Sequence, residues 1–125
     1  MAEWIITCNV QAYNVNGAFA KFDTIDWKQS TNIEEGDLVY IYVGAPVSAI
    51  AYKCEAIKVE MSENTIDDTE FVLDGSNYSS YGRYMRLRLI EKYSECKLGY
   101  DYLIENGLKT VQGPSKVNPQ LLEYI

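Results

Sequence analysis

Asp26-Trp27-Lys28-Gln29-Ser30-Thr31-Asn32-Ile33-Glu34-Glu35-Gly36-Asp37-Leu38-Val39-Tyr40-Ile41 is the stretch on which the fold turns. It is polar around one tryptophan, tightens at a Gly-Asp turn and then enters the strongly alternating run Leu38-Val39-Tyr40-Ile41-Tyr42-Val43. A strand that opens straight after a turn starts at the rim of a sheet. Thr24 to Glu35 is expected to be a loop, which puts Trp27 near that rim with a flat face turned to a ligand. Its neighbours Asp26, Lys28 and Gln29 give little reason for burial, and lining a site or packing at a core edge stand as even alternatives. Aromatic faces at the mouth of a small barrel suit a planar base lifted out of a nucleic acid.

On the amino-terminal side, Trp4-Ile5-Ile6-Thr7-Cys8-Asn9 reads as a first strand, with Trp4 in the core. Asn14-Val15-Asn16 carries a cap-like residue ahead of a short helix over Ala18–Phe22, where Phe19 and Phe22 share a face. On the other side, Gly44-Ala45-Pro46 breaks the strand, because proline cannot donate to a ladder. Ser48–Val59 alternates as a long curved strand, with Ile50, Tyr52 and Cys54 on one face. Residues 62–70 and 75–82 read as loops; the two tyrosines of the second serve either as adaptable binding surface or as a lid on a core edge. Tyr84–Leu89 is a strand, and Tyr100–Asn106 a helix ending at Gly107. Ser115-Lys116-Val117 closes the sheet, and a last helix begins at Pro119 with Asn118 as its cap. The reading is α+β: a small curled mixed barrel of five or six strands flanked by short helices, one domain over residues 1–125.

Composition narrows the chemistry. The 125 residues contain no histidine, which removes Ser-His-Asp and Cys-His nucleophile pairs and every His-ligated zinc site. Glu34-Glu35 and Asp67-Asp68 read as solvated turns. Cys8, Cys54 and Cys96 are odd in number and widely spaced, which argues against a disulfide framework and for a reducing cytoplasm. Cys8 and Cys54 read as small buried strand residues. No apolar run reaches the roughly 20 residues of a membrane span. A non-catalytic domain without a cofactor or metal is expected.

The net charge of −7 opposes nucleic-acid binding as a whole, but it is unevenly spread. Residues 1–82 hold four basic and thirteen acidic side chains, and residues 83–125 hold seven basic and five acidic. Arg83, Arg86 and Arg88 fall close together. They serve either as a sheet face paired to nearby carboxylates or as phosphate contacts.

The order of these pieces resembles the EVE domain of the PUA-like superfamily, a relative of YTH readers. The resemblance runs through Trp4 and the triplet Cys8-Asn9-Val10, Trp27, Gly36-Asp37 with Tyr40-Ile41-Tyr42, Lys53-Cys54-Glu55, and Ser115-Lys116-Val117-Asn118-Pro119. Three stretches depart from the commoner members: Asp-Trp-Lys-Gln around Trp27, Cys-Asn-Val at the pocket floor, and Val-Gly-Ala after the second strand. In these respects the chain looks more like the modification-sensing domains fused to nucleases in bacterial defence. The resemblance implies a pocket at the open end of the barrel. There Trp27 and Tyr42 stack on a flipped modified base (a modified cytosine or N6-methyladenine, in DNA rather than RNA). Cys8, Asn9 and Ser48 then offer hydrogen bonds to its edge, and Ser115 and Lys116, with Arg83 and Arg86 behind them, meet the phosphate backbone. A fused or associated nuclease is the implied partner, with no membrane role. The competing reading is an acidic protein-interaction module that mimics a nucleic acid, supported by the acidic first two-thirds of the chain.

Overall fold

Val39, Ile41 and Val43 face one side of β3 (Leu38–Val43), and Tyr40 and Tyr42 face the other; all five are buried. A strand covered on both faces belongs in the middle of a sheet. The computed structural model, which describes residues 2–8, 13–29, 32–44, 47–61, 83–93, 98–108, 115–117, 119–122 and 125, places β3 there. Around it lie β1 (Glu3–Cys8), β2 (Thr24–Lys28), β4 (Ala49–Met61), β5 (Tyr84–Lys92) and β6 (Ser115–Lys116). The described strands form one six-stranded mixed sheet in the order β2-β5-β4-β3-β1-β6, with β1 parallel to β3 and the other pairs antiparallel.

Three short helices complete the described elements: α1 (Val15–Lys21), α2 (Tyr100–Glu105) and α3 (Pro119–Leu122). Asn14 caps α1 by accepting the Gly17 N–H at 3.0 Å, and the helix starts at Val15 rather than Ala18. Val15, Ala18 and Phe19 press it onto the sheet face that carries Ile6, Cys8, Val39, Ile41, Tyr52, Cys54, Met85 and Leu87. The opposite face, with Ile5, Tyr40, Tyr42 and Ile50, takes Leu103 of α2 and Leu121 of α3. Gly107 follows α2 at φ +118°, the left-handed geometry expected of a residue that closes a helix. No helix among the described residues is long and apolar enough to cross a membrane.

The Gly-Asp turn holds β1 against β3. Gly36 takes φ +92°, open to glycine without cost, and Asp37 then sits 4% exposed between the two strands. Its Oδ1 accepts the Ala2 N–H at 2.9 Å, and its Oδ2 accepts the Trp4 indole N–H and the Glu34 N–H, each at 3.0 Å. Burial works to raise this carboxyl. The N–H donors of Glu34, Ala2 and Trp4 outweigh it and hold the group below its ordinary value.

The expected loop from Thr24 to Glu35 is in part a strand. Thr24–Lys28 forms β2 and pairs with β5, Asp26 opposite Arg86 and Trp27 opposite Met85. Ile25 and Trp27 turn to the core, and Asp26 stays buried because Arg86 clamps it, Nε to Oδ1 at 2.9 Å and NH2 to Oδ2 at 3.3 Å. The fifth strand also runs past Leu89 to Lys92. The loops over 62–70 and 75–82, Asn9 and the cap residue Asn118 lie outside the described residues.

Bulges break the simple alternation. Ile41 pairs with Tyr52 and Tyr42 with Ile50, so Ala51 is an extra residue on β4. Lys53 pairs with Glu91 and Cys54 with Leu89, so Ile90 is an extra residue on β5. An extra residue reverses the facing of everything beyond it. Ile50 and Tyr52, expected on one face, therefore lie on opposite faces of the sheet.

Candidate functional site

The carboxyl ends of β1, β3 and β5 and the amino end of β4 converge at one end of the sheet, and the start of α1 lies over them. An open cleft of about 250 Å³ lies there, lined by Asn16, Val43, Val47, Ala51, Tyr52, Lys92 and Tyr93. The Ala51 bulge lets two successive β4 residues, Ala51 and Tyr52, face the same side. The Ile90 bulge brings Lys92 round to join them. Val43, Val47 and Ala51 make an apolar wall. Tyr52 is 5% exposed, with its ring 4.7 Å from that of Phe19 and its hydroxyl donating to Asn16 Oδ1. It therefore forms a floor and cannot serve as a stacking platform. Tyr93 is half-buried; its N–H bonds the Ala51 carbonyl at 2.8 Å at the cleft, and its side chain packs with Tyr40 on the α2 side of the sheet. Burial, followed by the Glu91 carboxylate and the neighbouring Tyr40, pushes the Tyr93 phenol above its ordinary range. Lys92 is exposed and is the one cation among the described lining residues.

None of the described residues expected to form the pocket is among those lining this cleft. Trp27 and Tyr42 cannot sandwich one base, because Trp27 packs on the α1 side of the sheet and Tyr42 on the α2 side. Trp27 lies in β2, half-buried, edge-on to Tyr13 with ring centroids 5.5 Å apart. Its partner Met85 is seven residues along β5 from Lys92, roughly 23 Å along the strand. Tyr42 is 8% exposed; burial pushes its phenol up, against the opposing effect of a hydrogen bond from Ser48. Ser48 itself sits at φ +51° and serves Tyr42, on the α2 side. Cys8 is adjacent to the cleft through its register with Val43, but its thiol is buried, lies 3.8 Å from the Tyr13 carbonyl and is pushed up to about 12 by burial. It is a packed side chain. Asn9 lies outside the described residues.

The expected phosphate contacts are engaged elsewhere. Arg83 bonds Glu60 at 2.9 Å, Arg86 holds Asp26, and Arg88 bonds Glu55 at 2.5 Å. The carboxylate-paired reading of this sheet face is the one realised. Lys116 lies over the Trp4 ring, 5.5 Å from its centroid. Ser115 pairs with Ile5 in β6, and its side chain is outside the described set. The residues that sequence reasoning missed are Asn16, Tyr52, Lys92 and Tyr93. Their one visible signal is the polar step Glu91-Lys92-Tyr93 closing an apolar strand.

This arrangement of curled mixed sheet, α1 at the sheet end and two helices on the far face has solved counterparts. The ASCH domain of Zymomonas mobilis superposes with a TM-score of 0.64 at 8% identity, over 98% of this chain and 92% of that one. The fold is PUA-like. A Pseudomonas putida protein matches with a TM-score of 0.64 at 13% identity, over 98% and 95% of the two chains. A Rhodopseudomonas palustris protein solved by NMR matches at 0.61 and 12%, over 98% and 89%. At these identities the likeness is one of fold. ASCH domains share the PUA-like superfamily with EVE domains, so the resemblance seen in the sequence narrows to that common architecture. No family model matches the chain, and no curated protein matches it.

Proposed function

We propose that this chain is a non-catalytic nucleic-acid-binding module that takes one unpaired base into the cleft at the end of its sheet. The observation that carries the reading is the cleft itself. Its volume of about 250 Å³ falls just below the roughly 300–1,000 Å³ of pockets for drug-sized ligands, a size suited to a single ring system. Its lining combines an apolar wall, a polar floor at Tyr52–Asn16, and the exposed Lys92 ammonium for a backbone phosphate. The PUA-like fold is consistent with nucleic-acid binding at the level of architecture. A base modified with a methyl group would meet Val43, Val47 and Ala51, and so the finer expectation of a modified base in DNA, read in bacterial defence beside a nuclease, attaches to this cleft and not to Trp27.

With one cation in the lining and a chain of net charge −7, binding is weak and salt-sensitive. Single-stranded DNA and RNA pentamers, unmodified or carrying 5-methylcytosine, 5-hydroxymethylcytosine or N6-methyladenine, are titrated at low salt and followed by amide NMR shifts. The expected result is shifts centred on residues 43–52 and 92–93, weakened several-fold by Lys92→Glu. Shifts absent for every oligonucleotide, or confined to the β2–β5 face, refute the reading.

A further inference from the structure

We propose that a nucleotide neighbouring the base held in the cleft stacks on Tyr100, so that the domain engages a short run of single strand and not one base alone. The inference rests on the base-binding reading above and goes beyond it, to the length of strand that is bound. After β5 the chain returns to the start of β4. Gly99 bridges Ala49, the Ile50 N–H bonds the Leu98 carbonyl at 3.0 Å, and the Tyr100 N–H bonds the Ser48 carbonyl at 2.9 Å. Ala49 is also the register partner of Val43, and Ser48 directly follows Val47; Val43 and Val47 both line the cleft. Consecutive Cα atoms lie about 3.8 Å apart and hydrogen-bonded antiparallel partners about 5.5 Å, so the backbone of Tyr100 starts α2 within roughly 10 Å of the Val47 wall.

The ring is anchored at its backbone and open at its side chain. The bond to Ser48 holds Tyr100 on one side, and the first turn of α2 closes behind it with the Leu103 N–H on the Gly99 carbonyl at 3.0 Å. Its phenol acts on Tyr42, after burial and the Ser48 hydrogen bond, which places the ring on the α2 side of the same sheet end. Tyr100 is nonetheless 44% exposed, and Ile104, one turn further on, is 38% exposed. Residues four apart share a helix face, so the two make one apolar surface that begins beside the cleft. The buried residue of α2 is Leu103, so packing of the core does not account for a tyrosine at position 100. A tyrosine offers a π-face to any base and loses little rotamer freedom when it is used. Asp101 and Glu105 are exposed on the same helix and repel phosphate. The contact is therefore made to the face of a base, without preference for its identity, and the backbone phosphate is left to Lys92.

The test uses the whole chain and two probes, 5-methyldeoxycytidine monophosphate and a deoxytrinucleotide with 5-methylcytosine between two thymines, titrated by NMR at low salt. The trinucleotide is expected to bind about tenfold tighter, the scale of one stacked base, and to move the Tyr100 ring protons upfield. Tyr100→Ser is expected to cut that gain to within about threefold, the part left to Lys92, while Tyr100→Phe keeps it because the ring and not the hydroxyl makes the contact. Asp101→Asn is expected to tighten the trinucleotide about twofold. Equal binding of the two probes by the unaltered chain overturns the proposal while leaving base binding intact. Binding of neither overturns the reading beneath it as well. A loss on Tyr100→Ser shared equally by both probes assigns Tyr100 to the shape of the cleft and overturns the platform. A gain that survives Tyr100→Ser leaves Tyr100 and Ile104 as a face for some other partner and overturns it too. The amide spectrum of each variant reports whether it folds, and the ring-proton shifts of the unaltered chain carry the test alone if Tyr100→Ser does not.

Discussion

Replacing Asp37 by alanine is expected to remove about 3 kcal/mol of stability. Three N–H groups converge on its carboxylate, from Ala2, Trp4 and Glu34, at 2.9–3.0 Å. A hydrogen bond to a charged group contributes about 1.5–3 kcal/mol. The three are not worth three times that figure. The backbone N–H of Ala2 is part-buried and Glu34 is exposed, so water can replace the carboxylate at both. The Trp4 indole is 8% exposed and has no such substitute. One bond lost outright with a buried donor left unsatisfied, plus two weakened, gives about 3 kcal/mol, or roughly 10 °C in melting temperature for a chain of this size. Asp37→Asn keeps one acceptor but turns an NH₂ group toward donors, and is expected to cost about 2 kcal/mol.

Acid separates the charge from the shape of this residue. Because the folded carboxyl titrates below its unfolded value, its contribution is fully present above the unfolded pKa and is lost as pH falls through the folded one. The unaltered protein should lose stability on acidification below pH about 4, with a larger pH dependence than Asp37→Asn. Urea unfolding followed by tryptophan fluorescence and circular dichroism, at pH 7 and across pH 2–5, measures both effects. An alanine variant within 1 kcal/mol of the parent, or an asparagine variant with the same acid slope, refutes the argument that this carboxylate holds β1 to β3.

Arg86→Ala should cost about 2–3 kcal/mol, less than a fully enclosed pair because Arg86 is 27% exposed, since it takes the guanidinium away from the enclosed Asp26 carboxylate; adding Asp26→Asn should recover part of the loss in a double-mutant cycle. Trp27→Ala should lower stability by about 2 kcal/mol through lost packing on Tyr13 and the core, yet leave the oligonucleotide affinity of the folded fraction unchanged, as read by the same NMR titration. Gly36→Ala, where a Cβ meets nothing but the backbone must stay at φ +92°, should cost about 1–2 kcal/mol by urea unfolding.

The parts of the fold that were legible in the sequence are those where one strong local signal acts alone. Leu38–Val43 announces itself as an unbroken run of strand-forming residues, and Gly107 and the Gly-Asp turn because each backbone geometry favours few residue types. β2 escaped because its cue is a pair, not a residue. Asp26 reads as solvent-facing until Arg86, sixty positions later, is seen to neutralise it. With Asp26 taken as a loop residue, Trp27 inherits the same reading and looks exposed. In the fold, the alternation Thr24 and Asp26 outward, Ile25 and Trp27 inward is that of an ordinary edge strand.

The cleft was hidden for a different reason, which concerns phase. A period-2 reading carries each side chain's facing forward from its neighbour, so one unpaired residue inverts everything after it. Ala51 on β4 and Ile90 on β5 are two such residues, and they flank the site. Carried through Ala51, strict alternation puts Tyr52 with Ile50 and away from the α1 side; carried through Ile90, it sends Lys92 to the face opposite Leu89. Without either bulge one of these groups would lie outside the site, and together the two bring a tyrosine floor and an ammonium to the same hollow. Neither bulge has a glycine or proline to mark it, since an alanine and an isoleucine fit a strand equally well in register or out of it. The residues that form the cleft are therefore set by how three strands pair over long sequence distances, which is the information a single chain read in order holds least of.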